Sequence, residues 1–115
     1  MTTIFGIKNC DTIKKTRRWL EANEVDYTFQ DVREAPLTKA QVDDWIEQVG
    51  LDTLINKRGK TWRQLSVQDQ ERALQGQATS LILANPAMFK RPVVEIEGRI
   101  VVGFSEESFS ALFLS

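Results

Sequence analysis

The sequence predicts an α/β fold built on a mixed four-stranded sheet, with helices on both faces and a helical insertion in the middle of the chain. Three observations indicate this class. The chain opens with an apolar segment, a helical pattern and a second strand-like segment. Several short helical patterns follow in residues 38–85, and two β-branched runs and one more helix end the chain. Such an order of elements is typical of a sheet whose strands are joined by covering helices.

The first part of the pattern is a strand–helix–strand unit. Residues 4–7 are apolar and predict a buried strand, and residues 12–23 carry apolar side chains at helical spacing. Asp11 or Thr12 is the expected cap of this helix, because a short oxygen side chain accepts from its unpaired N–H groups. Residues 25–32 alternate apolar and polar side chains, which predicts a second strand parallel to the first.

The middle of the chain is predicted to be helical in short pieces. Thr38 followed by Gln41 predicts a capping box, and the helix that begins there is expected to end near Gly50. A further helix is predicted to begin at Ser66 and to run to Gln75. The last helix of this segment ends before Pro86, since the residue before a proline avoids the helical region.

The last part of the chain is predicted to be a hairpin followed by a helix. Residues 93–103 contain two β-branched runs separated by a glycine-containing turn, which is the pattern of an antiparallel hairpin. Ser105 is the expected cap of a final helix over residues 106–114. Together the elements form the thioredoxin-like arrangement, and residues 1–115 are expected to form one such domain with its insertion at about 38–85.

Composition excludes several classes of function. The chain has 115 residues, a net charge of −1, one cysteine and no histidine. Near-neutral charge argues against direct nucleic-acid or anionic-membrane binding, and no apolar run is long enough for a membrane span. Without histidine there is no Ser-His-Asp triad, Cys-His dyad or imidazole-bound metal. A single cysteine without a signal-peptide pattern suits a reducing compartment, so we expect a cytoplasmic protein with no metal site.

The single cysteine, Cys10, lies where the first strand gives way to the first helix. The N–H groups at a helix start carry partial positive charge, so a thiol there loses its proton more easily. The neighbouring Lys8 and Lys14 act in the same direction. The alternative is that Cys10 is a small buried hydrophobic residue, which is a common fate of free cysteines.

Four sequence motifs, including the one around Cys10, indicate a family resemblance. They are residues 4–15 around Cys10, Asp31-Val32-Arg33, Asn56-Lys57-Arg58-Gly59, and Asn85-Pro86 followed by Lys90-Arg91-Pro92-Val93-Val94. Through these motifs the chain resembles the arsenate reductase/Spx family, most closely its small YffB-like branch. The resemblance covers essentially the whole length.

The resemblance implies roles for particular residues. Cys10 matches the nucleophilic cysteine, Arg58 and Arg91 match the anion-binding arginines, and Pro92 matches a proline that is usually cis and shapes the groove for the thiol's substrate. The expected secondary contacts are Lys8, Asn9 and Lys14. The resemblance also implies no bound cofactor, glutathione as co-substrate and glutaredoxin as a partner. Taken singly, each arginine is better explained as an exposed cation, because most arginines are exposed, and the two become candidates only if they converge on the one thiol.

The chain departs from the family pattern at three places. No arginine follows the last strand at residues 102–105, and Lys8 stands where the arsenate-reducing branch has a histidine. Ile13 stands where the redox-switch regulators have the second cysteine of a C-x-x-C pair. An external thiol must therefore resolve any adduct on Cys10.

Three functions remain open from the sequence. The first is a glutathione-dependent thiol reductase. The second is a non-catalytic regulator that binds the α-subunit of RNA polymerase, because Gly50 lies eight residues before Arg58 and a glycine near that place matters in the regulators. Gly50 is equally explained as a residue that ends a helix. The third is an arsenate reductase, whose site would here be incomplete.

Overall fold

The computed structural model describes residues 1–114. They form two compact units. The sheet unit consists of Met1–Glu34 together with the chain from Arg91 onward, and the helical unit is Ala35–Lys90. The helical unit therefore includes the whole of the predicted insertion and extends a few residues beyond it at each end.

The sheet unit contains four strands in the order β2-β1-β3-β4. They are β1 (Thr2–Gly6), β2 (Thr28–Asp31), β3 (Val93–Ile96) and β4 (Arg99–Val102). β1 pairs in parallel with β2 and antiparallel with β3, and β3 pairs antiparallel with β4. The predicted mixed sheet is confirmed, and the fold is thioredoxin-like.

Seven α-helices lie within the described residues. They are α1 (Asp11–Ala22), α2 (Lys39–Val49), α3 (Leu51–Leu54), α4 (Lys60–Gln64), α5 (Val67–Arg72), α6 (Ala78–Ala84) and α7 (Glu106–Phe113). In the sheet unit, α1 and α7 cover one face of the sheet. Their fully buried Leu20 and Phe109 form a core cluster with Ile4 of β1 and Val94 of β3. That cluster fixes α1 against the strand from which it follows.

β1 and α1 also meet at Gly6. A Cβ on Gly6 would lie 2.7 Å from Cγ1 of Ile13, inside the closest separation that carbon atoms adopt in folded proteins. Ile13 is fully buried. Glycine at the end of β1 therefore allows the first turn of α1 to pack directly on the strand.

The helical unit confirms most of its predicted boundaries. Thr38 and Gln41 form the predicted capping box. α2 ends at Val49, and its C-cap residue is Gly50, whose φ of 83° suits glycine. Trp45 of α2 is buried with its ring edge-on to Phe89 at a centroid distance of 5.6 Å. The helix that Ser66 caps is α-helical as far as Arg72 rather than Gln75, and a wider turn over Ala73–Gln77 follows it. Within that turn the backbone leaves the helical region only at Gln75 and Gly76, next to the predicted end.

Several predicted boundaries in the sheet unit were wrong. The first strand spans Thr2–Gly6 rather than 4–7, since the carbonyl of Ile7 already accepts a turn hydrogen bond. The second begins only at Thr28, because the N–H of Val25 still bonds to the end of α1. The final helix ends at Phe113. Within residues 1–114, no helix is long and apolar enough to cross a membrane.

Candidate functional site

Cys10 is the N-cap residue of α1. Its backbone is extended, with φ −98° and ψ 128°, and its carbonyl accepts the N–H of Lys14 at 3.0 Å. The prediction that Asp11 or Thr12 caps this helix was wrong, because the helical conformation already begins at Asp11. No side-chain oxygen caps α1. The thiol therefore takes the place where most helices carry a capping oxygen.

The surroundings of the Cys10 thiol set its acidity. Partial burial raises the pKa of the thiol, whereas the backbone N–H of Ile13, the guanidinium of Arg91 and the N–H of Thr12 lower it. The lowering contributions are together larger, so the pKa lies below the ordinary value of 9.0. Hydrogen bonds and a positive charge both favour the thiolate, which is the nucleophilic form of cysteine.

Arg91 and Pro92 lie in the same unit as Cys10. Arg91 is half-buried and interacts with the thiol both as a hydrogen-bond donor and as a charge. The Arg91–Pro92 peptide bond is cis, as the resemblance implies, and Pro92 is buried. The carbonyl of Pro92 accepts the N–H of Gly103 at 2.8 Å. The start of β3 is thereby fastened to the end of β4 directly after the arginine.

The three residues predicted as secondary contacts, Lys8, Asn9 and Lys14, are all exposed. The ammonium of Lys8 forms an ion pair with Glu34 at 2.8 Å, and the hydrogen bond and charge of Glu34 raise the pKa of Lys8. Asn9 lies in the turn between β1 and α1, and Lys14 lies in the first turns of α1. The charge of Lys8 is therefore shared with Glu34, a partner that sequence reasoning did not identify.

Arg58 belongs to the helical unit, where it is exposed in the turn between α3 and α4. It lines a groove of about 450 Å³ together with Lys57, Lys90 and Asp52. Lys57 pairs with Asp52 at 2.9 Å. Three cations against one carboxylate leave an excess of positive charge around this groove, which suits an anionic group.

Sequence reasoning did not assign a role to Asp31, although the residue forms part of one quoted motif. Its carboxylate is buried and accepts the backbone N–H groups of Lys8 at 3.0 Å and of Arg33 at 2.8 Å. A signal was present in the sequence. Parallel strands end at the same edge of a sheet, so a carboxylate that ends the second strand lies beside the chain leaving the first.

Comparison with known proteins identifies the family of this chain. Residues 5–112 match the sequence model of the ArsC family. The chain belongs to the ArsC family. It is 36% identical over 98% of its length to an uncharacterized protein of Haemophilus influenzae, 99% of which is matched. It is also 30% identical over 93% of its length to the global transcriptional regulator Spx of Listeria innocua, 82% of which is matched.

Two solved structures are similar to the chain over nearly its whole length. The protein called YFFB (PA3664) superimposes with a TM-score of 0.91 at 36% identity, over 96% of this chain and 97% of that one. An arsenate reductase-related protein from Brucella melitensis superimposes with a TM-score of 0.79 at 41% identity, over 97% and 93% of the two chains. The predicted membership of the arsenate reductase/Spx family and its YffB-like branch is confirmed.

Proposed function

We propose that this ArsC-family protein is a glutathione-dependent thiol reductase with Cys10 as its nucleophile. The proposal rests on the position of the Cys10 thiol and on the groups that surround it. Cys10 lies at the N-cap of α1, next to the N–H groups of Thr12 and Ile13 and to the Arg91 guanidinium, which hold its pKa below the ordinary value. Such a thiol is thiolate to a larger extent at neutral pH and attacks disulfides faster than an ordinary one.

The proposed reaction exchanges one disulfide for another. The Cys10 thiolate attacks the glutathione sulfur of a mixed disulfide, which forms a bond between Cys10 and glutathione and releases the substrate as a thiolate. The sequence has no other cysteine. A glutathione thiolate therefore attacks the adduct, restores the Cys10 thiolate and leaves as glutathione disulfide. Two electrons pass from glutathione to the substrate, and glutaredoxin is a second thiol that could resolve the adduct.

The positively charged residues are proposed to hold the carboxylates of glutathione. Arg91 is next to the thiol, and its planar set of donors fits a carboxylate. Pro92 would form part of the groove wall. Arg58 is proposed to supply a second anion contact, and the proposed weaker contacts are Lys8, Asn9 and Lys14.

The test is turnover of a mixed disulfide between glutathione and a small thiol, with oxidised glutathione measured through glutathione reductase and NADPH. We expect turnover by the native protein and none by Cys10→Ser. Mass spectrometry of the native protein should detect one glutathione on Cys10 after substrate is added without free glutathione. Ser80→Ala, an exposed change in the helical unit, is the matched control and should keep full activity. Equal turnover by Cys10→Ser would refute the proposal.

Arsenate provides a comparison substrate. Residues 102–105 contain no arginine, and Lys8 replaces the histidine of the arsenate-reducing branch. We therefore expect slow glutaredoxin-coupled reduction of arsenate in comparison with the mixed disulfide. Efficient arsenate reduction would make arsenate reductase the preferred assignment.

A second candidate function is favoured by the 30% identity to Spx over 93% of the chain. In it, the protein binds the α-subunit of RNA polymerase through the surface around Gly50, and catalysis is not used. Gly50 is exposed, and a Cβ there would meet open space. The test is binding of purified α-subunit by the native protein and by Gly50→Arg, with Cys10→Ser as the control that should bind normally. Absence of native binding would reject this function.

A further inference from the structure

We infer that Asp31 is a positioning residue for Cys10, because its carboxylate holds the turn that carries the thiol to the first N–H groups of α1. The inference deepens the proposed function, since it concerns the same thiol.

Asp31 ends β2 and lies opposite Gly6, the last residue of β1, in the parallel register. Asp31 is 8% exposed. Oδ2 accepts the N–H of Lys8 at 3.0 Å, and Oδ1 accepts the N–H of Arg33 at 2.8 Å. The N–H of Val32 also donates to the carbonyl of Gly6 at 2.9 Å. The chain leaving β1 is thus tied to the end of β2 at two successive places.

The residue that Asp31 holds lies inside the turn that precedes Cys10. That turn is closed by the N–H of Cys10, which donates to the carbonyl of Ile7 at 3.2 Å. The pairing of β1 with its neighbours ends before Lys8. The N–H of Lys8 has no acceptor in the strand pairing of β1 and donates to the Asp31 carboxylate instead. An ionised acceptor forms a stronger hydrogen bond than a neutral one. This bond sets the direction in which the chain enters the turn and reaches the N-cap.

Charge and position predict opposite effects of removing the carboxylate. A nearby negative charge disfavours a thiolate, so removal of the charge alone would lower the pKa of Cys10 or leave it unchanged. If Asp31 positions the turn, its removal allows the thiol to move away from the N–H groups of Thr12 and Ile13. The pKa of Cys10 then rises towards that of an ordinary thiol.

The experiment is the rate of Cys10 alkylation by iodoacetamide as a function of pH. We expect the midpoint to move to higher pH in Asp31→Asn and to stay in place in Asp26→Asn. Asp26 is exposed in the same unit, so its substitution makes the same change of charge away from the turn. A midpoint that stays or falls in folded Asp31→Asn overturns the inference.

A second measurement uses the native protein and does not depend on the variant folding. In an acid titration followed by NMR, protonation of Asp31 should shift the amide resonances of Lys8 and Arg33. The amides of Thr12 and Ile13 should follow the same transition, since the turn connects them. If those two amides do not respond at this transition, the inference fails. Neither measurement involves glutathione, so the inference and the proposed function can each fail without the other.

Discussion

Gly6 of β1 and Ile13 of α1 are packed so closely that a methyl group on Gly6 would overlap the Ile13 side chain. Ile13 also donates its backbone N–H toward the thiol of Cys10. The contact that seats the first helix turn on the sheet is therefore made by the residue that helps to acidify the thiol. Packing and reactivity are coupled through Ile13.

Gly6→Ala should destabilise the protein and weaken the thiol. Overpacking of this kind costs about 1–3 kcal/mol, and relief of the overlap would move the first turn of α1 away from β1. We expect a lower free energy of unfolding in urea and a higher pKa of Cys10 by alkylation. Gly50→Ala is the control, because its cost comes from a φ of 83° in the helical unit with no overlap. It should leave the Cys10 pKa unchanged, and unaltered stability of Gly6→Ala would contradict the packing argument.

Arg91→Gln should raise the pKa of the Cys10 thiol. Glutamine keeps a hydrogen-bond donor on a long side chain but lacks the positive charge that favours the thiolate. Alkylation rates across pH measure the effect. Arg99→Gln removes a charge from an exposed position on β4 of the same unit and should have little effect. Equal midpoints for the Arg91 variant and the native protein would show that the helix terminus alone acidifies the thiol.

The buried carboxylate of Asp31 should make stability depend on acid pH. Burial alone raises the pKa of this group. The N–H groups of Lys8, Arg33 and Glu34 and the charge of Lys8 lower it by more, so the pKa lies below the ordinary 3.8. Its contribution to stability is therefore present above pH 3.8 and is lost as pH falls through the lower pKa of the folded state.

Urea unfolding of the native protein and of Asp31→Asn measures this contribution. The difference in free energy of unfolding between the two proteins should be largest at neutral pH. It should shrink as the pH falls below the pKa of the carboxyl group in the unfolded chain. A comparison with Asp31→Asn is needed because Asp43, Asp52 and Glu97 also have lowered pKa values and respond to acid in both proteins. A difference that does not change with pH would remove the carboxylate from the explanation.

Arg58→Gln should raise the KM for a glutathione-containing substrate and leave the pKa of Cys10 unchanged. Arg58 lines a groove with excess positive charge, which would hold a carboxylate without acting on the thiol. Steady-state turnover and alkylation of the same preparation separate the two effects. Arg63→Gln changes an equally exposed arginine on α4 and serves as the control. An unchanged KM would remove Arg58 from the proposed site.

Local rules made much of the fold predictable. The capping box at Thr38 and the serine caps at Ser66 and Ser105 depend on residues three positions apart, and all three are present. The strands were predicted with errors at their ends, since pairing partners distant in sequence decide where a strand begins. The start of the second strand, for example, is set by the pairing of Thr28 with Thr3 of β1.

The site was less predictable than the fold. The position of Cys10 at a helix start could be inferred from its neighbours in sequence. Arg91 could be connected with it only through the family resemblance, because their proximity depends on tertiary structure. Asp31 was overlooked although its position at the end of the second strand was a signal, because its carboxylate acts on backbone N–H groups and matches no catalytic or ligand motif.

The buried side chain of Ile13 bears on how this protein could acquire a second sulfur. A cysteine at that position would complete a C-x-x-C pair, but it would also vacate the space that Ile13 fills beside Gly6. The loss is a large-to-small core change, which costs about 1–4 kcal/mol. A single substitution would therefore give a looser dithiol protein, and a compensating side chain at Gly6 would be needed to restore the packing. The packing of Ile13 against Gly6 therefore favours a single thiol, and in the proposed reaction the supply of external thiol would govern how long an adduct on Cys10 persists.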